Sequence, residues 1–159
     1  SSITTLNAVA SSDGILIAVG SKSSSAFVMR STNGTSWTDV SGGLSSPPAE
    51  LFGVTYDTSA HRFIAVGGTK SYWSTDGLTW TLVSLPASMR GVAYGDTISI
   101  AAGEEHVASS ASGSAWTGNH VADSNGGADL TTPNSVAYVH GKFVLFDDYD
   151  IWYSLSRTV

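Results

Sequence analysis

The chain has 159 residues, of which 42% are hydrophobic and only 13% are charged, and its formal net charge is −6 with seven Lys and Arg residues. This composition excludes an intrinsically disordered chain, which combines low hydrophobicity with high net charge. It also argues against nucleic acid and anionic membranes as partners, because both attract clustered basic residues. No run of 18 apolar residues is present, so we expect no membrane insertion. The absence of cysteine excludes disulfides, thiolate catalysis and Cys-based zinc sites.

Short apolar runs separated by Gly and Ser occur along the whole chain, and no long window has helical periodicity, which predicts an all-β domain. Two of these runs recur four times in the same order. The first centres on a valine, at Val9, Val54, Val92 and Val136. The second is Ile-Ala-Val-Gly at 17–20 and 64–67, Ile-Ala-Ala-Gly at 100–103, and the more divergent Val-Leu-Phe-Asp at 144–147.

A third pattern follows in three of the repeats. It reads Ser-Thr-Asn-Gly-Thr-Ser-Trp at 31–37, Ser-Thr-Asp-Gly-Leu-Thr-Trp at 74–80, and Ser-Ala-Ser-Gly-Ser-Ala-Trp at 110–116. Asn-Gly and Asp-Gly between strands predict a two-residue type I′ hairpin, in which both central residues have positive φ.

Each repeat therefore predicts four antiparallel strands, which we name inner, second, third and outer. In the second repeat they are expected at about 51–56, 62–66, 71–74 and 78–83. Repeats of about forty residues that each form a four-stranded sheet are blades of a β-propeller, since one blade cannot bury both of its faces. We predict a single domain, 1–159, with blades at about 5–41, 50–84, 89–120 and 133–159.

The motif at 74–80 resembles the Asp-box, or bacterial neuraminidase repeat (BNR repeat), although the familiar box is one residue longer. Asn33 replaces the acid in the first motif and Ser112 in the third. The resemblance extends over almost the whole chain and implies a β-propeller. It implies no single function, because such boxes occur in hydrolases, lectins and non-enzymatic scaffolds alike.

The fourth repeat ends after its third strand, so the last predicted blade lacks an outer strand. Three closures are open. Residues 1–5 supply that strand within a four-bladed ring; two chains form an eight-bladed ring by lending residues 1–5 to each other; or the chain is part of a larger propeller with additional blades. Some closure is expected, because an unpaired sheet edge promotes aggregation.

The second–third and outer–inner connections of such blades share one face of the ring, and the box turns lie on the opposite face. Propellers generally bind ligands on the first of these faces. The box residues are expected to be structural, with Asn33 and Asp76 capping their own turns and the box Trp side chains filling space between blades.

Two groups of residues on the first face are candidates for ligand binding. Adjacent aromatics in equivalent third strands suit stacking on sugar rings, with one member of each pair packed and the other facing a groove; the alternative is that both are buried. Carboxylates in the neighbouring turns would bond hydroxyls. The candidates are Tyr72, Trp73, Glu104, Glu105, His106, Asp148, Tyr149, Asp150, Trp152 and Tyr153.

Three carboxylates in one short segment, Asp147, Asp148 and Asp150, also suit Ca²⁺, although their spacing matches no established calcium loop and a solvated acidic turn is the alternative. No other cofactor is predicted. The Ser- and Thr-rich composition with few Lys residues predicts a secreted protein or one displayed on a cell or virion surface.

The enzyme that the resemblance brings to mind is sialidase, which needs three convergent arginines. Only four arginines are present, Arg30, Arg62, Arg90 and Arg157, and no convergent trio is evident. The sequence therefore favours a non-catalytic, lectin-like module that binds a glycan or another cell-surface ligand. The alternatives are a fragment of an Asp-box glycoside hydrolase, in which two placed carboxylates would suffice, and a protein-interaction scaffold.

Overall fold

A computed structural model describes residues 4–12, 14–120, 133–147 and 151–153, and these form four antiparallel sheets in chain order. Sheet 1 contains β1 (Thr4–Ser12), β2 (Ile15–Lys22), β3 (Ser25–Ser31) and β4 (Thr38–Asp39). Sheet 2 contains β5 (Gly53–Asp57), β6 (Arg62–Ser74) and β7 (Thr81–Met89). Sheet 3 contains β8 (Gly91–Gly95), β9 (Ile98–Gly103), β10 (His106–Ser110) and β11 (Thr117–His120). Sheet 4 contains β12 (Ser135–Val139), β13 (Lys142–Phe146) and β14 (Ile151–Tyr153).

The described residues contain no α-helix and one short 3-10 turn, Ser41–Gly43. None of their helical segments is long and apolar enough to cross a bilayer. The prediction of an all-β chain is confirmed, and the architecture is propeller-like.

The repeated valines occupy one register position in all four sheets. Val9 pairs with Ala18, Val54 with Ala65, Val92 with Ala101 and Val136 with Leu145, in each case across the first two strands of the sheet. The sequence repeat is therefore a structural repeat, and a residue in one sheet can be compared directly with its counterparts in the others.

Sheet 2 departs from the predicted strands at two places. The predicted second and third strands form one continuous element, β6, with a register shift between Gly68 and Lys70 and a positive φ of 58° at Gly68. The connection predicted after residue 83 is instead part of β7, which continues through Pro86 to Met89. Burial of Leu85 and Met89 favours this extension, because strand alternation directs both side chains into the core.

The type I′ prediction for the box turns is wrong. Only the glycines of these turns have positive φ, at 76° for Gly34, 71° for Gly77 and 72° for Gly113. The residue before each of these glycines does not have a positive φ, because side-chain caps, described below, fix the turn. Each turn is therefore longer than a two-residue hairpin.

The first residues of β1 do not serve as the missing outer strand of sheet 4. Thr4 pairs with Lys22 and Thr5 with Ser21, both within sheet 1. Residues 1–3 and 154–159 lie outside the described part of the chain.

The core is divided into three clusters, one between each pair of consecutive sheets. Ile17 and Val19 of sheet 1 meet Val54 and Phe63 of sheet 2 in the first cluster. The second cluster joins sheets 2 and 3, and the third joins sheets 3 and 4. The innermost strands pack side by side in the order β1, β5, β8 and β12. We call the face of a sheet that is directed towards the next sheet its front face and the opposite face its rear face. The front faces of sheets 1 to 3 pack on the rear faces of sheets 2 to 4.

Candidate functional site

The box turns are built by side-chain caps within the turn. Asp76 Oδ1 accepts hydrogen bonds from the backbone N–H groups of Leu78 (2.8 Å) and Thr79 (3.0 Å), and the buried Ser74 hydroxyl accepts one from Gly77 (2.8 Å). Hydrogen bonds from Thr79 and Leu78 hold the pKa of Asp76 below its ordinary value. The first box is built in the same way around Asn33, whose Oδ1 accepts from the N–H groups of residues 35 and 36 at 3.0 and 2.8 Å.

The box turns also wedge between sheets. A Cβ on Gly77 would come within 2.5 Å of Ile17 Cδ1 in sheet 1, and a Cβ on Gly113 would come within 2.5 Å of Ile64 Cδ1 in sheet 2. Arg30 Nε donates to the carbonyl oxygen of Asp76 across the first of these contacts (2.9 Å). These geometries assign the second and third boxes to sheet packing.

The aromatic candidates of β6 have different surroundings. Tyr72 is completely buried, and its hydroxyl donates to the carbonyl oxygens of Ser45 and Ser46, both at 2.9 Å. Burial also raises its pKa. Tyr72 therefore belongs to the core and cannot contact a ligand in this structure, because strand alternation turns it towards sheet 1. Trp73 is half-buried, and the Arg62 guanidinium lies over its ring, with Cζ 4.2 Å from the centroid.

The acidic turn of sheet 3 is exposed. Glu104 and Glu105 form the two-residue connection between β9 and β10, with φ values of 37° and 62°. The following His106 is half-buried, and its Nδ1 lies 2.7 Å from the Glu104 carbonyl oxygen. These three candidates are consecutive in sheet 3, whereas Tyr72 and Trp73 belong to sheet 2.

The remaining candidates follow β13 in the sequence. Asp147 is half-buried, whereas Asp148, Tyr149 and Asp150 lie outside the described residues. Trp152 and Tyr153 are in β14, opposite Leu145 and Val144. Within the described residues, no group of three His, Asp or Glu side chains is placed to hold a metal ion.

A concave feature lies where the four inner strands converge. It is a cavity of about 600 Å³, and each sheet contributes residues that lie in its inner strand or directly before it. The lining residues are Asn7, Ala8, Phe52, Gly53, Val54, Arg90, Gly91, Val92, Asn134, Ser135 and Val136. We call this feature the axial cavity.

Glycines allow the inner strands to approach closely around the axial cavity. A Cβ on Gly53 would come within 3.0 Å of the Val92 nitrogen, and a Cβ on Gly91 within 2.8 Å of the Val136 nitrogen. Because glycine has no side chain, the backbone at Gly53 and Gly91 is also uncovered at the cavity wall, where a ligand can reach it.

The polar side chains of the axial cavity are exposed at the start of the inner strands. The Arg90 guanidinium lies over the Phe52 ring, with Cζ 5.0 Å from the centroid, and makes no hydrogen bond or ion pair within the described residues. Asn7 Nδ2 donates to Glu50 Oε1 (2.8 Å) and to the Leu51 carbonyl oxygen (2.9 Å). These bonds orient the Asn7 amide so that its oxygen remains an acceptor for a ligand.

This arrangement suits the recognition of a polar ligand. One guanidinium, two amides, one hydroxyl and an aromatic ring line the axial cavity, and no described lining residue is a carboxylate. Binding groups of this kind fix the orientation of hydroxyls and carboxylates in concave sites.

The sequence reasoning missed this site, although the repeat contained the signal. Phe52, Arg90 and Asn134 stand at the same position of three repeats, directly before the inner strand. Equivalent positions of blades arranged around an axis must lie close together, so aligning the repeats would have placed these side chains at a common opening.

No family model matches the chain, and no curated protein matches it. Solved structures do match. A protein of unknown function from Bacteroides thetaiotaomicron superposes with a TM-score of 0.67 at 12% identity, over 99% of this chain and 42% of that one. PorZ, a bacterial surface component of the type-IX secretion system of Porphyromonas gingivalis, gives a TM-score of 0.53 at 16% identity, over 89% of this chain and 18% of that one.

A chain of the nidogen/laminin complex gives a TM-score of 0.56 at 10% identity, over 91% of this chain and 72% of that one. The chain thus spans about two fifths of the length of the Bacteroides protein and less than one fifth of PorZ. At these identities the likeness is one of fold: the chain shares an all-β, propeller-like architecture with these structures.

Proposed function

We propose that the chain is a non-catalytic binding module, with each sheet forming one blade of a propeller, and that it binds a glycan in the axial cavity. The observation that carries this proposal is the exposed Arg90 guanidinium, stacked on Phe52 beside the amides of Asn7 and Asn134. A sugar presents both hydroxyls for such amides and an apolar ring face for an aromatic side chain.

The charge of the site favours acidic sugars within this class. Arg90 is the one cation among the described lining residues, in a chain whose net charge is −6. A guanidinium binds a carboxylate through two parallel hydrogen bonds, which a neutral hydroxyl cannot reproduce. We therefore propose a uronic or other carboxylated sugar, displayed on a cell or matrix surface, as the ligand.

The fold likeness to PorZ is compatible with a role at a cell surface, and the polar composition of the chain points the same way. We propose an extracellular location on these grounds. The glycoside hydrolase alternative gains no support from the axial cavity, because no described lining residue is a carboxylate and Glu50, which accepts from the lining residue Asn7, is also engaged by Ser21.

The test is a glycan array containing neutral and carboxylated oligosaccharides, followed by titration calorimetry with the best ligand. Arg90→Ala removes a charged hydrogen-bonding group worth about 1.5–3 kcal/mol, so we expect the Kd to rise by about 10- to 100-fold. Arg62→Ala is the matched control, because Arg62 also stacks on an aromatic ring but lies outside the axial cavity. Its Kd should stay within about twofold of that of the parent protein.

Loss of binding with Trp73→Ala or Glu105→Gln, and not with Arg90→Ala, would move the site to the second–third connections. Turnover of a chromogenic glycoside that is abolished by Glu50→Gln would overturn the non-catalytic proposal. Binding of no glycan on the array would leave the scaffold alternative as the better description.

A further inference from the structure

The three interfaces between consecutive sheets are built from equivalent residues. The front face contributes aliphatic residues of the second strand. These are Ile17 and Val19 in sheet 1, and Ile64 and Val66 at the equivalent positions of sheet 2. The rear face of the following sheet contributes the inner-strand valine. Every internal interface thus joins an aliphatic front face to a valine-bearing rear face.

The rear face of sheet 1 also carries the inner-strand valine, but none of the described sheets packs on it. Its exposed apolar residues are on β1, whereas Ala18 and Phe27 on the same face are buried. Val9 is 62% exposed, whereas its counterparts Val54, Val92 and Val136 are 7%, 7% and 6% exposed. Leu6, on the same strand, is 56% exposed. The first box turn follows this pattern, because a Cβ on Gly34 would meet nothing within 4 Å, in contrast to the wedged glycines of the second and third boxes.

The front face of sheet 4 is the complementary uncovered surface. Ile151, which pairs with Phe146, is 66% exposed, and Val139 is 48% exposed. Val144 and Phe146 occupy the register positions of the fully buried Ile17 and Val19, yet both are only half-buried. The described residues include five large exposed apolar side chains. Four of them, Leu6, Val9, Val139 and Ile151, lie on the rear face of sheet 1 or on the front face of sheet 4.

From this pattern we infer that a second copy of this chain docks head to tail, with the rear face of sheet 1 of one copy on the front face of sheet 4 of the other. The chain carries both halves of an interface that it already makes three times internally, so a second copy presents the required counterpart at each end. Within one chain the two faces do not meet, since the inner strands pack in sequence and no comparable contact joins β1 to β12 in the described part.

Two copies related by a two-fold axis make this contact twice and leave neither terminal face uncovered, which closes the assembly. The result is a ring of eight sheets, in which inner strands of both copies surround the axis. Exposed apolar side chains on these two sheet faces would otherwise favour open-ended association of many copies.

Sedimentation equilibrium of the purified chain tests the inference. We expect a mass of twice 16.4 kDa for the parent protein. Val9→Glu and Ile151→Glu each place a charge in the interface and should raise the dimer Kd by more than about 100-fold, because an unpaired buried charge is strongly disfavoured. Leu78→Glu is the matched control, since Leu78 is 48% exposed but lies in the second box turn, and it should leave the dimer intact.

Mixing the two defective variants distinguishes head-to-tail docking from other geometries. Val9→Glu mixed with Ile151→Glu retains one interface that is unmodified on both sides, so heterodimers should form although neither variant dimerises alone. Cooperative thermal unfolding of each variant checks that the fold is intact. A parent protein that is monomeric, or that forms long polymers, would overturn the inference, as would a mixture without heterodimers. Glycan binding is measured separately, so either proposal can fail without the other.

Discussion

Gly77→Ala offers a direct test of the wedge between sheets 1 and 2. At φ 71° an alanine adopts a left-handed conformation, which costs about 1–2 kcal/mol. The new Cβ would also lie 2.5 Å from Ile17 Cδ1, and Ile17 is completely buried, so its side chain must move against packed neighbours. Overpacking of this kind adds about 1–3 kcal/mol. The total expected loss of unfolding free energy is about 2–5 kcal/mol.

Gly141→Ala separates the two contributions. Gly141 has a similar φ of 78°, but a Cβ there would meet nothing within 4 Å. This variant should lose only the conformational part, about 1–2 kcal/mol. Urea unfolding of both variants gives the difference directly, and in a chain of this length each kcal/mol also lowers the melting midpoint by about 2–4 °C.

The double variant Gly77→Ala/Ile17→Val tests whether the contact with Ile17 Cδ1 causes the additional loss of stability. Valine lacks the Cδ1 atom that the alanine would strike, while Ile17→Val alone costs about 0.5–1.5 kcal/mol. The double variant should therefore be at least about 1 kcal/mol more stable than the sum of the single losses predicts. Equal losses for Gly77→Ala and Gly141→Ala, or strictly additive losses in the double variant, would refute the wedge.

Substitutions at three further residues test local side-chain hydrogen bonds. Asp76→Ala should lose about 1 kcal/mol through two unpaired backbone donors, whereas Asp76→Asn should change stability little, because Asn33 caps the first box in the same way. Since the folded-state pKa of Asp76 lies below its ordinary 3.8, its contribution is complete above that pH and is lost as the pH falls through the lower folded value, which acid titration of the parent and Asp76→Asn proteins will show. Tyr72→Phe should lower the free energy of unfolding in urea by about 0.5–1.5 kcal/mol, because it removes the hydroxyl hydrogen bond. Since the folded-state pKa of Tyr72 is raised above 10.0, the parent protein should also lose stability as the pH rises through that folded value. The Tyr72→Phe variant should not show this loss. Asp57→Ala should cost about 1–3 kcal/mol by the same unfolding measurement, because the buried Asp57 Oδ1 accepts hydrogen bonds from Ser59 and from the Ala60 N–H.

The comparison of sequence and structure is clearest in the turns. Asn-Gly and Asp-Gly predicted type I′ hairpins, but the serine two residues before each Asx captures the glycine N–H and lengthens the turn. Paired positive φ values occur instead at Ser23 and Ser24 and at Glu104 and Glu105, where no glycine indicated them. At the box turns the side-chain caps therefore overrode the local propensity of the Asx-Gly pair.

The candidate site also combines features that the sequence predicted with features that only the structure revealed. Tyr72 and Trp73 of β6 both pack between sheets: Tyr72 is buried in the cluster between sheets 1 and 2, and Trp73 is half-buried against the cluster between sheets 2 and 3. Alternation alone did not reveal that Tyr72 would be the buried member. Arg90, Phe52 and Asn134 are far apart in the chain and meet only because their sheets surround one axis. Aligning the repeats would have placed them at equivalent positions, but only the arrangement of the sheets shows that they line one cavity.

The sequence alone determined the all-β class, the four repeated units and the equivalence of their valines, because side-chain alternation and turn-forming residues act over a few neighbouring positions. Only the tertiary structure decided which of those equivalent valines are covered, where the axial cavity opens and which glycines act as wedges. These features depend on contacts between sheets: Val9 and Val54 occupy the same register position, yet Val9 is exposed and Val54 is buried against another sheet.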